Sequence, residues 1–149
     1  MNNNYQYQAG DSSQRPWGSW RVLEVLPHSV LKRIEVLPGK RLSLQRHHYR
    51  AEHWVVADGE ASVLVGQQKL SLGIGQSVDI PVGVVHRLAN EGSTTAIVME
   101  LQHGSMLSEE DIERLEDDYG RSDDSEHCSP SRAESCPAST PTRDFAPHG

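Results

Sequence analysis

The sequence predicts an all-β domain, a sandwich or barrel built from short strands. Its 149 residues suit one domain with tails and are too few for a two-domain enzyme. Within positions 15–121, short runs rich in Val, Ile and Leu recur along the chain. Gly, Pro or Asn residues separate these runs, as is typical of turns between strands. Many short strands at regular spacing indicate a sandwich or barrel.

The predicted strands follow one another through this region. Turn signals such as Pro38-Gly39 and Asp58-Gly59 separate them. The strands are expected at positions 21–26, 30–37, 41–47, 52–57, 61–65, 69–72, 77–80, 86–89 and 95–101.

A short C-terminal helix is predicted to close the domain, over positions 108–120. Ser108 suits the N-cap, and the acids that follow it suit the positive end of a helix dipole. An apolar stripe at helical spacing and a terminal glycine complete the pattern, with Ile112, Leu115, Tyr119 and Gly120 in those positions.

Two polar segments flank the predicted domain. Residues 1–14 contain little that could be buried, and residues 122–149 are rich in Ser, Pro and acid. Such segments do not offset the entropy of ordering, so we expect both to be disordered. Cys128 and Cys136 lie in the second segment. A zinc knuckle with His127 is an alternative there, although no second close-spaced ligand pair accompanies them.

The composition excludes several classes of function. The formal net charge of −7 argues against nucleic acid or an anionic membrane surface as the main partner. No run of 18 apolar residues is present, and the polar N-terminus is not a secretory signal. Two neighbouring cysteines near the C-terminus cannot staple a distant core, so we expect a reduced, cytoplasmic chain.

Polar side chains that do not fit a plain β core predict a metal site. Side chains alternate between the two faces of a strand. Gln45 and His47 share one phase, Glu52 shares a phase with Trp54, and His86 begins another strand. If these phases face inward, two imidazoles, a carboxylate and an amide oxygen converge, which suits a divalent transition metal. The alternative is that they are edge or surface groups, because periodicity does not show which strands face each other.

The spacing of these residues resembles the two sequence motifs of the cupins. The first motif is resembled by Gly39, five residues, Gln45-Arg46-His47, four residues, Glu52, six residues and Gly59, with Gln45 replacing its first His. The second is matched by Gly75, five residues, Pro81-Val82-Gly83, two residues, His86, three residues and Asn90. The resemblance implies a cupin double-stranded β-helix (jelly roll). It also implies one divalent transition metal (Zn, Mn, Co or Fe) held by Gln45, His47, Glu52 and His86.

Longer segments narrow this resemblance. They are RPWG at 15–18, LKRI at 31–34, LSLQRHHYRAEHW at 42–54, IPVGVVHRLAN at 80–90 and EEDIERLEDDYGR at 109–121. Together they are similar to the type II mannose-6-phosphate isomerase domain. That domain is commonly the C-terminal half of a bifunctional enzyme whose other half is a mannose-1-phosphate guanylyltransferase. Only 14 residues precede Arg15 and no Gly-rich nucleotide loop is present, so we expect the isomerase-like half alone. The family often has a third histidine where this chain has Tyr49.

The resemblance implies interconversion of mannose 6-phosphate and fructose 6-phosphate, in the synthesis of GDP-mannose and polysaccharide. Such a reaction needs an electrophile at the carbonyl, a general base and a cation near the enediolate. Arg50, in phase with Glu52, is expected to be catalytic and to bind substrate. Lys32, on the apolar face of its strand, either snorkels to the rim or binds the phosphate. The pattern does not identify the base, for which His48 and Tyr49 are candidates.

Two other functions remain compatible with the sequence. One is a non-catalytic metal-binding cupin that binds a sugar phosphate or nucleotide sugar. The other is a metal-dependent oxygenase, against which Gln45 argues, because many iron oxygenases use two His and a carboxylate without an amide. The expected partners are a phosphorylated sugar, a second copy of the chain in a homodimer, since cupins often dimerise, and a separate guanylyltransferase.

Overall fold

The computed structural model describes residues 6–120, which form eleven β-strands and no helix. The strands are β1 (Ser12–Arg15), β2 (Gly18–Val25), β3 (Ser29–Val36), β4 (Leu44–Arg46), β5 (Arg50–Asp58), β6 (Ala61–Val65), β7 (Gln68–Leu72), β8 (Ser77–Ile80), β9 (His86–Ala89), β10 (Ala96–Gly104) and β11 (Glu113–Glu116). No helix in this part of the chain is long and apolar enough to cross a membrane.

The strands form two antiparallel sheets packed face to face. One sheet has the order β1-β2-β3-β10-β5-β8, and the other has the order β11-β4-β9-β6-β7. Both sheets contribute to one apolar core, whose buried residues include Ile34, Trp54, Val63 and Leu88. Neighbouring strands in each sheet are often distant in sequence. For example, β10 lies between β3 and β5, and β11 lies beside β4.

Strict alternation decides which residues enter the core. In β3 every second residue is buried, and in β5 the buried phase runs from Arg50 through Glu52 and Trp54 to Val56. Side chains of one phase share a sheet face, so Lys32 lies on the same face as Ile34. The predicted phases of these two strands are confirmed. The inward faces of β3 and β5 therefore carry charged residues as well as apolar ones.

The predicted C-terminal helix is wrong. Residues 113–116 form β11, which pairs antiparallel with β4 and places Glu113 opposite Arg46. The acids in this segment have specific partners on the barrel, since Glu113 binds Arg46 and Asp118 binds Arg41 in bidentate ion pairs. These long-range contacts outweigh the local helical pattern, in which helix propensity is only a weak prior.

The domain also begins earlier than the sequence indicated. Tyr7 is 6% exposed and packs with Val22 and Val30, and Ser12–Arg15 pairs with β2. The expectation of a disordered segment therefore fails for residues 6–14, because one buried aromatic ring and a strand pairing anchor them. The expectations for residues 122–149, including a zinc knuckle at Cys128, Cys136 and His127, lie outside the described residues.

A buried lysine ties the two ends of the described chain to the barrel. The Lys32 Nζ atom donates to the Tyr7 hydroxyl at 2.7 Å and to Glu109 Oε1 at 2.9 Å. The Tyr7 hydroxyl donates to the same Glu109 oxygen at 2.6 Å. Lys32 also lies over the rings of Tyr7 and Trp20, at 3.8 and 4.4 Å from their centroids. Cation–π contact and hydrogen bonding thus compensate the burial of the ammonium group.

The Glu109 carboxylate gives this contact a dependence on pH. Burial would raise its pKa, but the charge of Lys32 and hydrogen bonds from Tyr7 and Lys32 outweigh burial and lower the pKa to about 2. A folded-state pKa below the ordinary 4.5 means that the carboxylate stabilises the fold above that pH. This contribution is lost as the pH falls from 4.5 towards 2.

We expect Glu109→Gln to destabilise the protein most at neutral pH. The difference in melting temperature between wild type and variant should stay constant from pH 7 to 5 and shrink from pH 4.5 to 3. Thermal unfolding followed by circular dichroism measures it. Glu110→Gln is the matched control because no ion pair of Glu110 is present within residues 6–120. A difference that persists undiminished at pH 3 would contradict this role for Glu109.

Candidate functional site

Three buried side chains converge at one end of the space between the sheets. The His47 Nε2 atom lies 3.0 Å from Glu52 Oε1, and the His86 Nε2 atom lies 3.8 Å from Glu52 Oε2. One ligand atom from each of the three lies within 4.8 Å of the others, and all three residues are at most 2% exposed. The structure therefore brings together three of the four predicted metal ligands.

Strand geometry places these side chains. Glu52 lies on the inward phase of β5, and His86 begins β9. Gln45, the fourth predicted ligand, is the register partner of His86 in the pairing of β4 with β9, so the two share one face of the sheet. Gln45 lines the same cavity as Glu52, and its Oε1 atom lies 3.4 Å from the Ser43 hydroxyl, which donates to it.

Hydrogen bonds fix the state of both imidazoles. The Nδ1 atom of His47 lies 2.6 Å from the carbonyl oxygen of Asp111, and the Nδ1 atom of His86 lies 2.9 Å from that of Val84. A carbonyl oxygen only accepts, so each Nδ1 donates a proton there, and Nε2 is the nitrogen left to face Glu52. Neither Nε2 atom has a hydrogen-bond partner although both are buried.

The chemistry of this donor set fits a transition metal. Two imidazole Nε2 atoms face a carboxylate, and a divalent cation placed between the three groups would be bound by all of them. Metal–ligand bonds of about 2.1 Å place neighbouring ligand atoms roughly 3 Å apart, as His47 and Glu52 are here. Two nitrogens and oxygen donors suit several divalent ions, so the set does not select one metal.

The ionisation of His86 and Glu52 agrees with this fit. Burial lowers the pKa of His86, which keeps its ring neutral and able to coordinate. Burial would raise the pKa of Glu52, but contact with His47 and the charge of Arg50 hold it well below its usual range. The carboxylate is thus ionised, as a metal ligand must be.

Arg50 is buried against this cluster. Its Nε atom donates to Glu52 Oε1 at 3.0 Å, and its Nη1 atom donates to the carbonyl oxygen of Ser108 at 2.8 Å. Burial would lower its pKa, but the charge of Glu52 raises it, so the guanidinium stays charged although only 3% of Arg50 is exposed. The structure places Arg50 in the wall of the cavity, where its cation faces any molecule bound there.

The cavity beside the cluster is strongly charged. Its apolar wall includes Trp17, Trp20, Ile34, Leu42 and Ile112. Four cationic residues and three carboxylates also line it, namely Arg15, Lys32, Arg50, Arg114, Glu52, Glu100 and Glu109. Such a mixture of apolar walls and convergent charges is typical of a site for a small polar ligand.

Glu100 is a functional candidate that the sequence analysis missed. It lies in the register of β10 opposite Lys32 and Trp54, accepts from Trp54 Nε1 at 3.0 Å and accepts from Gln102 Nε2 at 2.5 Å. Burial, and next the charge of Glu52, raise its pKa to about 8. The signal was present, because Glu100 is in phase with the apolar residues Ala96 and Val98.

The other predicted candidates lie in different surroundings. His48 and Tyr49 do not line the cavity. The His48 ring is half exposed and contacts Glu113 at 2.7 Å, and Tyr49 is 53% exposed. Lys32 does line the cavity, but its ammonium is already bound by Glu109 and Tyr7. Arg15 and Arg114, which the sequence analysis did not single out, add the remaining positive charge.

Solved structures share this architecture. KdgF from Halomonas sp. aligns with 70% of this chain and 91% of its own, with a TM-score of 0.59 and 15% identity. The capsular polysaccharide assembling protein CapF from Staphylococcus aureus aligns with 78% of this chain and 34% of its own, with a TM-score of 0.62 and 20% identity. A cupin 2 conserved barrel domain protein from Salinispora arenicola aligns with a TM-score of 0.52 and 18% identity, over 58% of this chain and 75% of its own. The predicted cupin jelly roll is confirmed, without its helix.

Curated relatives are much closer in sequence. The alginate biosynthesis protein AlgA of Pseudomonas aeruginosa is 50% identical over 107 residues, which cover 72% of this chain and 22% of AlgA. The xanthan biosynthesis protein XanB of Xanthomonas campestris is also 50% identical, over 72% of this chain and 23% of XanB. A mannose-1-phosphate guanylyltransferase of Escherichia coli is 42% identical, over 81% of this chain and 26% of that protein.

The chain thus spans about a quarter of the length of the curated relatives it matches. The family model described as "Mannose-6-phosphate isomerase C-terminal" matches residues 2–117, which include every strand of both sheets and all the candidate ligands. The predicted family is confirmed, and this chain belongs to the mannose-6-phosphate isomerase C-terminal family.

Proposed function

We propose that this chain is a metal-dependent aldose–ketose isomerase that interconverts mannose 6-phosphate and fructose 6-phosphate. The observation that carries the proposal is the pair of buried, unpartnered Nε2 atoms facing Glu52 beside a cation-rich cavity. The family match and the names of AlgA and XanB support a place for this reaction in polysaccharide synthesis, through GDP-mannose. A separate guanylyltransferase would act later in that route, on mannose 1-phosphate, after the phosphate has moved from C6 to C1.

His47, Glu52 and His86 would hold the metal, and the Gln45 amide oxygen is placed to complete the set. When bound, a divalent ion supplies Lewis-acid polarisation of the sugar carbonyl and holds two neighbouring oxygens together. The surrounding protein contributes orientation, since two carbonyl oxygens lock the imidazoles.

Arg50 is the proposed stabiliser of negative charge on the reacting sugar. Its guanidinium is anchored on both sides, by Glu52 and by the Ser108 carbonyl oxygen, so it is preorganised and does not need to reorient. A fixed, buried cation stabilises a developing enediolate more than a mobile surface cation does. Arg50 is therefore both a substrate-binding and a catalytic candidate.

Glu100 is the proposed carrier of the proton that moves between the two carbons. Three carboxylates line the cavity, of which Glu52 faces the imidazoles and Glu109 is paired with Lys32. Glu100 is the remaining carboxylate. The indole of Trp54 and the amide of Gln102 hold its two oxygens in place. Its pKa, raised to about 8, lies near neutral pH, so Glu100 can both accept a proton in its ionised form and return it from its protonated form.

Arg15 is the proposed partner of the substrate phosphate. Lys32 and Arg50 are engaged by the carboxylates of Glu109 and Glu52, whereas Arg15 has no acidic partner among residues 6–120. Arg15 is partly exposed and ends β1 at the edge of the cavity, so it is accessible to an incoming anion. Arg114 on β11 lines the same cavity and adds positive charge there.

The decisive experiment is an isomerase assay on purified protein loaded in turn with Mn²⁺, Co²⁺, Fe²⁺ or Zn²⁺. We expect turnover of mannose 6-phosphate with at least one ion and loss of turnover after chelation. Glu52→Gln and His86→Ala should lower the bound metal, measured by elemental analysis, because each removes one ligand. His53→Ala is the matched control, since His53 pairs with exposed Asp79 away from the cavity.

Absence of turnover with every ion would overturn the isomerase proposal. If such protein still binds metal and sugar phosphate, it is a binding module rather than an enzyme. Unchanged metal content in both Glu52→Gln and His86→Ala would refute the proposed ligands.

Arg15→Ala should raise KM for mannose 6-phosphate about tenfold and leave kcat nearly unchanged. A tenfold change corresponds to ~1.4 kcal/mol, a reasonable value for one charge-assisted contact with phosphate. Steady-state kinetics measure both constants. Arg21→Ala, which removes an exposed arginine of β2, is the control and should behave as wild type. An equal KM in wild type and Arg15→Ala would assign the phosphate to other residues.

Glu100→Gln should lower kcat by about 100-fold or more, the usual range for loss of a positioned acid or base. The glutamine can accept from Trp54, and once the Gln102 amide turns over, the new amide can donate to Gln102 Oε1, for which no partner is present among the described residues. The variant should therefore fold and keep its metal. Activity close to wild type in metal-loaded Glu100→Gln would exclude Glu100 as the proton carrier.

A further inference from the structure

Asp111, in the segment predicted as a helix, is a buried acid. Its hydrogen bonds join it to Ser108 and to residues 47–49, the loop that carries the metal ligand His47. Asp111 is 4% exposed. In the sequence it lies between Glu109 and Ile112, which both line the cavity. Its carboxylate accepts from the backbone amides of His48 and Tyr49, at 2.8 and 3.0 Å, one on each oxygen. Its own amide is directed at the Ser108 carbonyl at 3.3 Å.

The main chain of Asp111 makes the fourth contact. Its carbonyl oxygen lies 2.6 Å from His47 Nδ1 and accepts that proton. The same residue thus holds the backbone after His47 through its side chain and the ring of His47 through its main chain. The backbone and ring of His47 are both fixed with respect to Glu52, whose Oε1 atom lies 3.0 Å from His47 Nε2.

The two imidazoles differ in how they are held. His86 is fixed by the carbonyl of Val84, two residues away in its own loop. His47 is fixed by a residue 64 positions further along the chain. The orientation of His86 is therefore a local property, whereas that of His47 depends on the docking of the segment that contains Asp111.

We propose that Asp111 is a positioning residue for the metal ligand His47, setting its tautomer and aiming its Nε2 atom at Glu52. This rests on the proposed metal site. Asp111 acts from outside the coordination sphere, with its backbone oxygen as the hydrogen-bond acceptor and its carboxylate as the anchor that holds the oxygen there. Loss of such an outer contact commonly weakens metal binding about 10- to 100-fold.

The test compares Asp111→Ala and Asp111→Asn with Asp118→Asn. Asp118 fastens the same segment through Arg41 but does not touch the ligand loop, so its variant reports general loosening of the segment. The apparent affinity for Co²⁺ and Zn²⁺ is measured by competition with a chelator. Nitrogen NMR of the metal-free protein reports the tautomer of His47, independently of any activity.

In the wild type we expect the His47 ring to carry its proton on Nδ1. Asp111→Ala should give a mixture of the two tautomers and lower the affinity for the metal ions 10- to 100-fold. Asp111→Asn, which keeps one acceptor oxygen, should have an affinity between those of wild type and Asp111→Ala. Asp118→Asn should stay within twofold of wild type. If Asp111→Ala does not fold, Asp111→Asn and the wild-type tautomer still decide the matter.

A wild-type His47 protonated on Nε2 would overturn the proposal. So would a folded Asp111→Ala, or Asp111→Asn where the first does not fold, whose tautomer and affinity match those of wild type. An equal loss in Asp118→Asn would show general loosening and also overturn it. Metal binding without isomerase activity would remove the proposed function and leave the role of Asp111 standing. If the wild type binds neither ion, the metal site fails and the tautomer measurement alone decides whether Asp111 orients His47.

Discussion

The buried carboxylate of Glu52 is the constraint around which the site is built. An ionised group at 2% exposure is costly unless charges and hydrogen bonds surround it. Here Arg50 and the indole of Trp54 donate to its two oxygens, and two imidazoles approach from the opposite sheet. Arg50 then needs its own second acceptor, which the Ser108 carbonyl provides. Satisfying one carboxylate therefore fixes residues on β5, β9 and the segment before β11.

The same constraint divides the interior into two halves. Where β3, β5 and β10 lie side by side, one end of their shared inner face is apolar, with Ile34, Val56 and Val98 in neighbouring positions. A few residues along the same strands, Lys32, Arg50, Glu52, Glu100 and Gln102 take the inward positions. The apolar half supplies the free energy of packing, and the polar half depends on that rigidity for its geometry.

Much of this arrangement follows from alternation and turn residues. The strand phases that place Glu52 with Trp54 and Lys32 with Ile34 are visible in the sequence, and so is the spacing of the three buried ligands. Two kinds of information are not local. Tyr7 is buried by Val22 and Val30 and bonds to Glu109, which is 102 positions away, and Asp111 is held by residues more than 60 positions away, contacts that no window of sequence reveals. The segment 108–120 has a helical composition, yet its acids meet Lys32 on β3, Arg46 on β4 and Arg41 in the stretch before β4. Glu100 was missed for a different reason, since its phase was readable and its character as a buried acid was overlooked.

The junction of Tyr7, Lys32 and Glu109 has a consequence for how the protein reaches its folded state. Tyr7 and Lys32 come from the first part of the described chain and Glu109 from the last, so that Tyr7 and Glu109 are 102 positions apart. A contact between such distant residues forms only after most of the intervening chain has collapsed. During synthesis the barrel can begin to assemble from its central hairpins, but the cavity wall is complete only after Glu109 and β11, the last described strand, have left the ribosome. A chain whose synthesis has not yet reached these residues would thus lack part of the cavity wall. The ability to bind a ligand in the cavity would appear in one late step of folding.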